Sequence, residues 1–151
     1  MESLTLKNVK VLFTEFENPN FGSSLTLDVT DDEVRKSIED FYKKNSINKG
    51  VAKIKDYTNP ETKETTKQFT IKIAEFVELV PENGSRDDAL KGIREIASLA
   101  RDIKFGRGAI INVAIRSYEY NNSFGAGVSA SAVAVVIVKS ADFKNALDDL
   151  M

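Results

Sequence analysis

Residues 105–138 read FGRGAIINVAIRSYEYNNSFGAGVSASAVAVVIV. Two apolar-rich segments, Ala109 to Tyr120 and Val128 to Lys139, bracket Asn121-Asn122-Ser123-Phe124-Gly125-Ala126-Gly127, a run of turn formers. The first segment alternates. Ile111, Val113 and Ile115 fall on one face, while Asn112, Arg116, Tyr118 and Tyr120 share the other. The second is apolar on both faces, which places it centrally in a sheet or in a closed one.

Working outward, the same period recurs. Leu4 to Phe16 alternates with Val9, Val11 and Phe13 on one face, Asn18-Pro19-Asn20 turns it, and Leu25, Leu27 and Val29 return. Thr30-Asp31-Asp32-Glu33 matches a capping box, so Thr30 and Glu33 are expected to satisfy each other's amides at a helix start. That helix aligns Val34, Ile38, Phe41 and Tyr42 on one stripe, with Lys43 and Lys44 at its C-terminal end. Val51 to Tyr57 and Thr66 to Leu79 then form a hairpin with its tip at 58–64. Pro81-Glu82-Asn83-Gly84 breaks the chain, and Ser85 to Asp88 reads as a second capping box. The helix after it carries Leu90, Ile93, Ile96, Ala97 and Ala100 on one face. Many short antiparallel strands with two helices predict a mainly β fold, and a small barrel is preferred to a sandwich because closure removes exposed edges.

Composition narrows the function. The chain has 151 residues, 42% hydrophobic and 29% charged, which fits one globular domain. It has no cysteine and no histidine, removing thiolate nucleophiles, the Ser-His-Asp triad and the usual zinc ligands. No enzymatic activity, metal or cofactor is expected, and the acidic run Asp31-Asp32-Glu33 reads as helix capping. Neither glycine cluster precedes a helix, so neither is a dinucleotide or phosphate loop. The N-terminus lacks the pattern of a secretory signal, and the longest apolar run, Ala132 to Val138, is far below the ~20 residues of a membrane span. A cytoplasmic protein without a membrane partner is expected.

The net charge of −2 hides a basic patch. Residues 43–72 hold eight lysines against three acids, and residues 101–116 hold four basic residues against one acid. In Val51 to Tyr57, Lys53, Lys55 and Tyr57 share the face opposite Ala52 and Ile54. Lys72 lies opposite Ile71 and Ile73, and Lys10 opposite Val9 and Val11. Cations beside tyrosines on outward strand faces are what single-stranded nucleic acid requires: the cations meet phosphates and the rings stack on bases. The plainer reading is that tyrosine favours strands and lysine favours water.

Phe105-Gly106-Arg107-Gly108-Ala109, the strand Ile111 to Tyr120 and the hairpin Phe124-Gly125-Ala126-Gly127-Val128-Ser129-Ala130 running into Ala132 to Val136 resemble the C-terminal half of bacteriophage single-stranded-DNA-binding proteins with OB folds. The resemblance implies an OB-like antiparallel β-barrel over residues 1–140 with two accessory helices. It further implies a non-catalytic protein that coats single-stranded DNA with little sequence preference in phage replication or recombination. Together with the outward faces above, the expected DNA-binding residues are Lys10, Lys53, Lys55, Tyr57, Lys72, Arg107, Asn112, Arg116, Tyr118, Tyr120 and Phe124. The helix from Thr30 to Asn45 departs from a minimal five-stranded OB barrel, as do Ala134 and Val136, where the family often carries Asn or Gln. Residues 141–151 resemble the acidic, hydrophobic-tipped tails of that family, with Asp148, Asp149, Leu150 and Met151 as a binding segment for replication or recombination proteins. A short terminal helix burying Phe143, Leu147 and Leu150 is the alternative. A homodimer is compatible with the sequence. The rival function is a phage structural or protein-interaction β-module whose outward tyrosines meet another protein.

Overall fold

The structure, a computed structural model, describes residues 3–18 and 22–141. Its elements are β1 (Ser3–Asn18), β2 (Gly22–Asp28), α1 (Asp32–Lys44), β3 (Ile54–Thr58), β4 (Thr65–Val80), β5 (Leu90–Lys91), α2 (Ile93–Leu99), β6 (Ile110–Asn122) and β7 (Gly125–Lys139). Five strands close into a ring in the order β1-β2-β4-β7-β6 and back to β1. All its contacts are antiparallel except β4 with β7. That connectivity, with α2 between the third and fourth ring strands, is OB-like. β3 extends the sheet by pairing with the first half of β4, and β5 pairs with its end.

The alternation explains the closure. Val11, Leu25, Leu27, Phe69, Ile71, Val77, Leu79, Ile111, Val113, Ile115 and Ile137 are all buried, and they form one continuous core with the helices. β7, apolar on both faces, sits between β6 and β4. Tyr42 of α1 meets the Phe69 ring edge-on at 5.5 Å near the start of β4. α2 packs near the other end of β4, where Gly92 N–H donates to the Val77 carbonyl.

Several local expectations need correction. The cap of α1 is Asp31, whose Oδ1 accepts from Glu33 N and Val34 N at 3.0 and 3.1 Å. Thr30 is drawn away: its hydroxyl donates to Asp28 and accepts from Lys67 N across the sheet. The second capping box is present, but it closes a single 3₁₀ turn, Arg86–Asp88. Leu90 therefore lies in β5, opposite Leu79, and α2 begins only after Gly92. β3 starts at Ile54, leaving Lys53 just outside it. The seven-residue loop expected at 121–127 shrinks to Ser123-Phe124, because Asn121, Asn122, Gly125, Ala126 and Gly127 all pair within the hairpin. Among the described residues no helix is long and apolar enough to cross a membrane.

Candidate nucleic-acid interface

Strand pairing brings distant cations into one row. Lys72 of β4 lies opposite Ser131 of β7, and Ser131 lies opposite Arg116 of β6. With strands about 4.8 Å apart, the backbones of the two residues stand roughly 10 Å from each other along this row. Neither is in an ion pair among the described residues. Both line a largely apolar hollow of about 420 Å³, together with Tyr118, Phe76 and Val133.

Phe76 is the residue that sequence reading missed. It is 70% exposed, an unusual cost for so large an apolar ring. The cause is a break in the ladder. Between the pairs Ile73 with Ala132 and Glu78 with Ala134, four residues of β4 (Ala74, Glu75, Phe76 and Val77) face Val133 alone. A bulge of this kind re-aims side chains, and here it projects Phe76 over the hollow. Alternation carried a signal: Val77 and Leu79 point inward, so Phe76 falls on the outward parity with Lys72. Lys72 and Glu75 also line a larger hollow of about 870 Å³, where Lys91 and Arg94 add positive charge that sequence reading had not assigned.

The remaining residues distribute unevenly. Tyr120 lies over Gly127, its partner across the hairpin, and is 41% exposed. Phe124 occupies the hairpin tip and is 98% exposed, with its N–H bonded to Asn122 Oδ1 at 2.9 Å. Gly125, at φ +126°, permits the two-residue turn that holds it there. Tyr57 meets Phe13 edge-on at 6.5 Å, and the Arg107 guanidinium sits 5.6 Å from the Phe13 centroid. Phe13 is thus outward and 42% exposed, not part of the inner row with Val9 and Val11. A bulge at Leu12 switches its parity. Lys53 and Lys55 border a separate small cavity. Lys10 and Asn112 are not gathered into these hollows. Lys10 pairs opposite Ile110, and Asn112 Oδ1 accepts from Asn8 N–H at the bulge of β1. Asp148, Asp149, Leu150 and Met151 lie outside the described residues.

Three solved structures share this architecture. The C-terminally truncated single-stranded DNA-binding protein from bacteriophage Enc34 superposes with a TM-score of 0.63 at 19% identity, covering 95% of this chain and 88% of that one. The chain has the fold of a phage single-stranded DNA-binding protein. The Enc34 protein without the truncation gives 0.62 at 18% identity, over 95% of this chain and 85% of that one. The same Enc34 protein in complex with single-stranded DNA gives 0.63 at 18% identity, over 94% and 89%. No protein-family model and no curated protein matches the sequence. The relationship to the Enc34 fold is therefore carried by the ring connectivity and the hairpins, with little sequence identity to support it.

Proposed function

We propose that the chain belongs with the phage single-stranded DNA-binding proteins and coats single-stranded DNA during phage replication or recombination, without catalysis and with little sequence preference. The observation that carries this reading is the hollow in which Lys72 and Arg116, in no ion pair among the described residues, flank the exposed ring of Phe76 and the half-buried ring of Tyr118. Cations there neutralise phosphates while aromatic faces stack on bases without reading them. The reading is supported by the shared fold with the Enc34 protein, one of whose structures holds single-stranded DNA. A phage structural module would have no need of cations converging on an exposed ring.

The test is fluorescence anisotropy with labelled oligo-dT and with a blunt duplex of equal length. Oligo-dT is expected to bind much more tightly, because its bases are free to stack. Its affinity falls with salt on a log–log slope of about −0.7 for each phosphate contacted. Equal affinity for the two ligands overturns the proposal.

A further inference from the structure

The face of β3 and β4 beyond Lys72 carries a smaller cavity, about 200 Å³, lined by Lys53, Lys55, Gln68 and Thr70. It lies below the ~300–1,000 Å³ of ordinary ligand pockets, so it suits a single ring or one edge of it. Pairing builds its floor. Lys55 stands opposite Gln68, and the Thr70 hydroxyl is bonded to that of Thr26 at 2.8 Å. Phe13 occupies the same row, opposite Thr26, and Tyr57 follows Lys55 on its own face of β3.

One polar atom here is out of balance. Gln68 Oε1 is closed off from solvent and has no hydrogen-bond partner among the described residues. Such an atom has lost its water without compensation. An amide in want of a partner at the wall of a ring-sized cavity, with two exposed lysines at its rim, is a site shaped for a polar ring edge on an anionic chain, met when the carboxamide turns outward.

We infer that this cavity receives the Watson–Crick edge of one unpaired base of a bound strand, hydrogen-bonded to the Gln68 amide, with Lys53 and Lys55 on the neighbouring phosphates. Every base presents a donor beside an acceptor on that edge, and an amide complements either order by rotating. The contact therefore reads whether a base is paired, not which base it is. In a duplex those edges are already occupied. The inference rests on the proposed function above and adds to it a specific group that rejects paired DNA.

The experiment compares the full chain with Gln68→Leu, titrating each with oligo-dT and with a strand of equal length carrying abasic sites. Gln68→Leu is expected to weaken oligo-dT binding about five- to tenfold, the worth of one or two hydrogen bonds, and to leave the abasic strand unaffected. The unliganded variant is expected to melt at or above the parent temperature, since an unpartnered polar atom is removed. Gln68→Met, unbranched and of similar length, repeats the comparison if leucine perturbs folding. Equal loss on both strands, or no loss on either, overturns the inference while leaving the binding function standing. A parent protein that binds neither strand overturns both.

Discussion

The Tyr120 ring lies so closely over Gly127 that a Cβ built on residue 127 falls 2.6 Å from the phenol oxygen and 2.9 Å from Cζ. The two residues are paired across the β6–β7 hairpin, and the bare backbone of the glycine is what lets the ring lie flat. Gly127 thus sets the direction of an exposed aromatic on the face that carries Arg116 and Tyr118.

Gly127→Ala is expected to drive the Tyr120 ring off the hairpin at small cost to stability, because the displaced atoms belong to the free end of a half-exposed side chain. Affinity for oligo-dT should drop as far as in Tyr120→Ala. The double variant should be no worse than either single one, as expected for two changes acting through one contact. Additive losses in an anisotropy titration would separate the two residues.

Phe76→Ala and Arg116→Ala should fail in different ways. Removal of a stacking ring costs about 1–3 kcal/mol of binding and leaves the salt slope unchanged. Removal of the guanidinium flattens the slope by about 0.7. Because Phe76 is 70% exposed, its truncation should barely shift the thermal melt, so lost binding cannot be laid to unfolding.

Alkaline titration should destabilise the protein through Tyr42. Burial, and to a lesser degree the neighbouring Tyr118 phenol, pushes its pKa from 10.0 up to about 12. Its folded-state pKa is raised, so between pH 10 and 12 the unfolded chain releases the proton first and stability falls as pH rises. Two units correspond to roughly 2–3 kcal/mol, fully present below pH 10. Denaturant unfolding at pH 8 and pH 11 should show a smaller loss in Tyr42→Phe than in the parent; identical losses would place the effect elsewhere.

Helix α1 should depend on Asp31. Asp31→Ala removes the acceptor for two amides and should cost about 1 kcal/mol in urea unfolding. Thr30→Ala instead breaks the bridge from Asp28 to Lys67 N, so its effect should persist in a variant that already lacks the Asp31 cap. A Thr30 effect that vanishes in that background would return the capping role to Thr30.

Much of the fold was legible because strand alternation and helical spacing are local properties of the chain. The inner rows Leu25-Leu27 and Ile111-Val113-Ile115, the stripe Ile38-Phe41-Tyr42 and the central place of β7 all follow from apolar periodicity and lie buried as that periodicity implies. The pairing of cations with tyrosines on β6 was readable for the same reason. Where a local signal was misassigned, a distant partner intervened. Thr30 has the residue type of an N-cap, but Lys67 N, 37 residues away, engages its hydroxyl, and Asp31 caps in its place.

Alternation determined which side chains face outward wherever no bulge intervenes; at Phe13 the bulge at Leu12 overrode it. Only the tertiary structure decided which outward side chains meet. The parallel alignment of β4 with β7 puts Lys72, Ser131 and Arg116 in one row, and the unequal count of residues around Val133 lifts Phe76 above it. Neither is written in a local pattern, because backbone hydrogen bonds between strands carry no side-chain label. Strand order is settled by how distant segments together bury one core, and that same settlement leaves Gln68 Oε1 without a partner among the described residues, in the cavity that Lys53 and Lys55 also line.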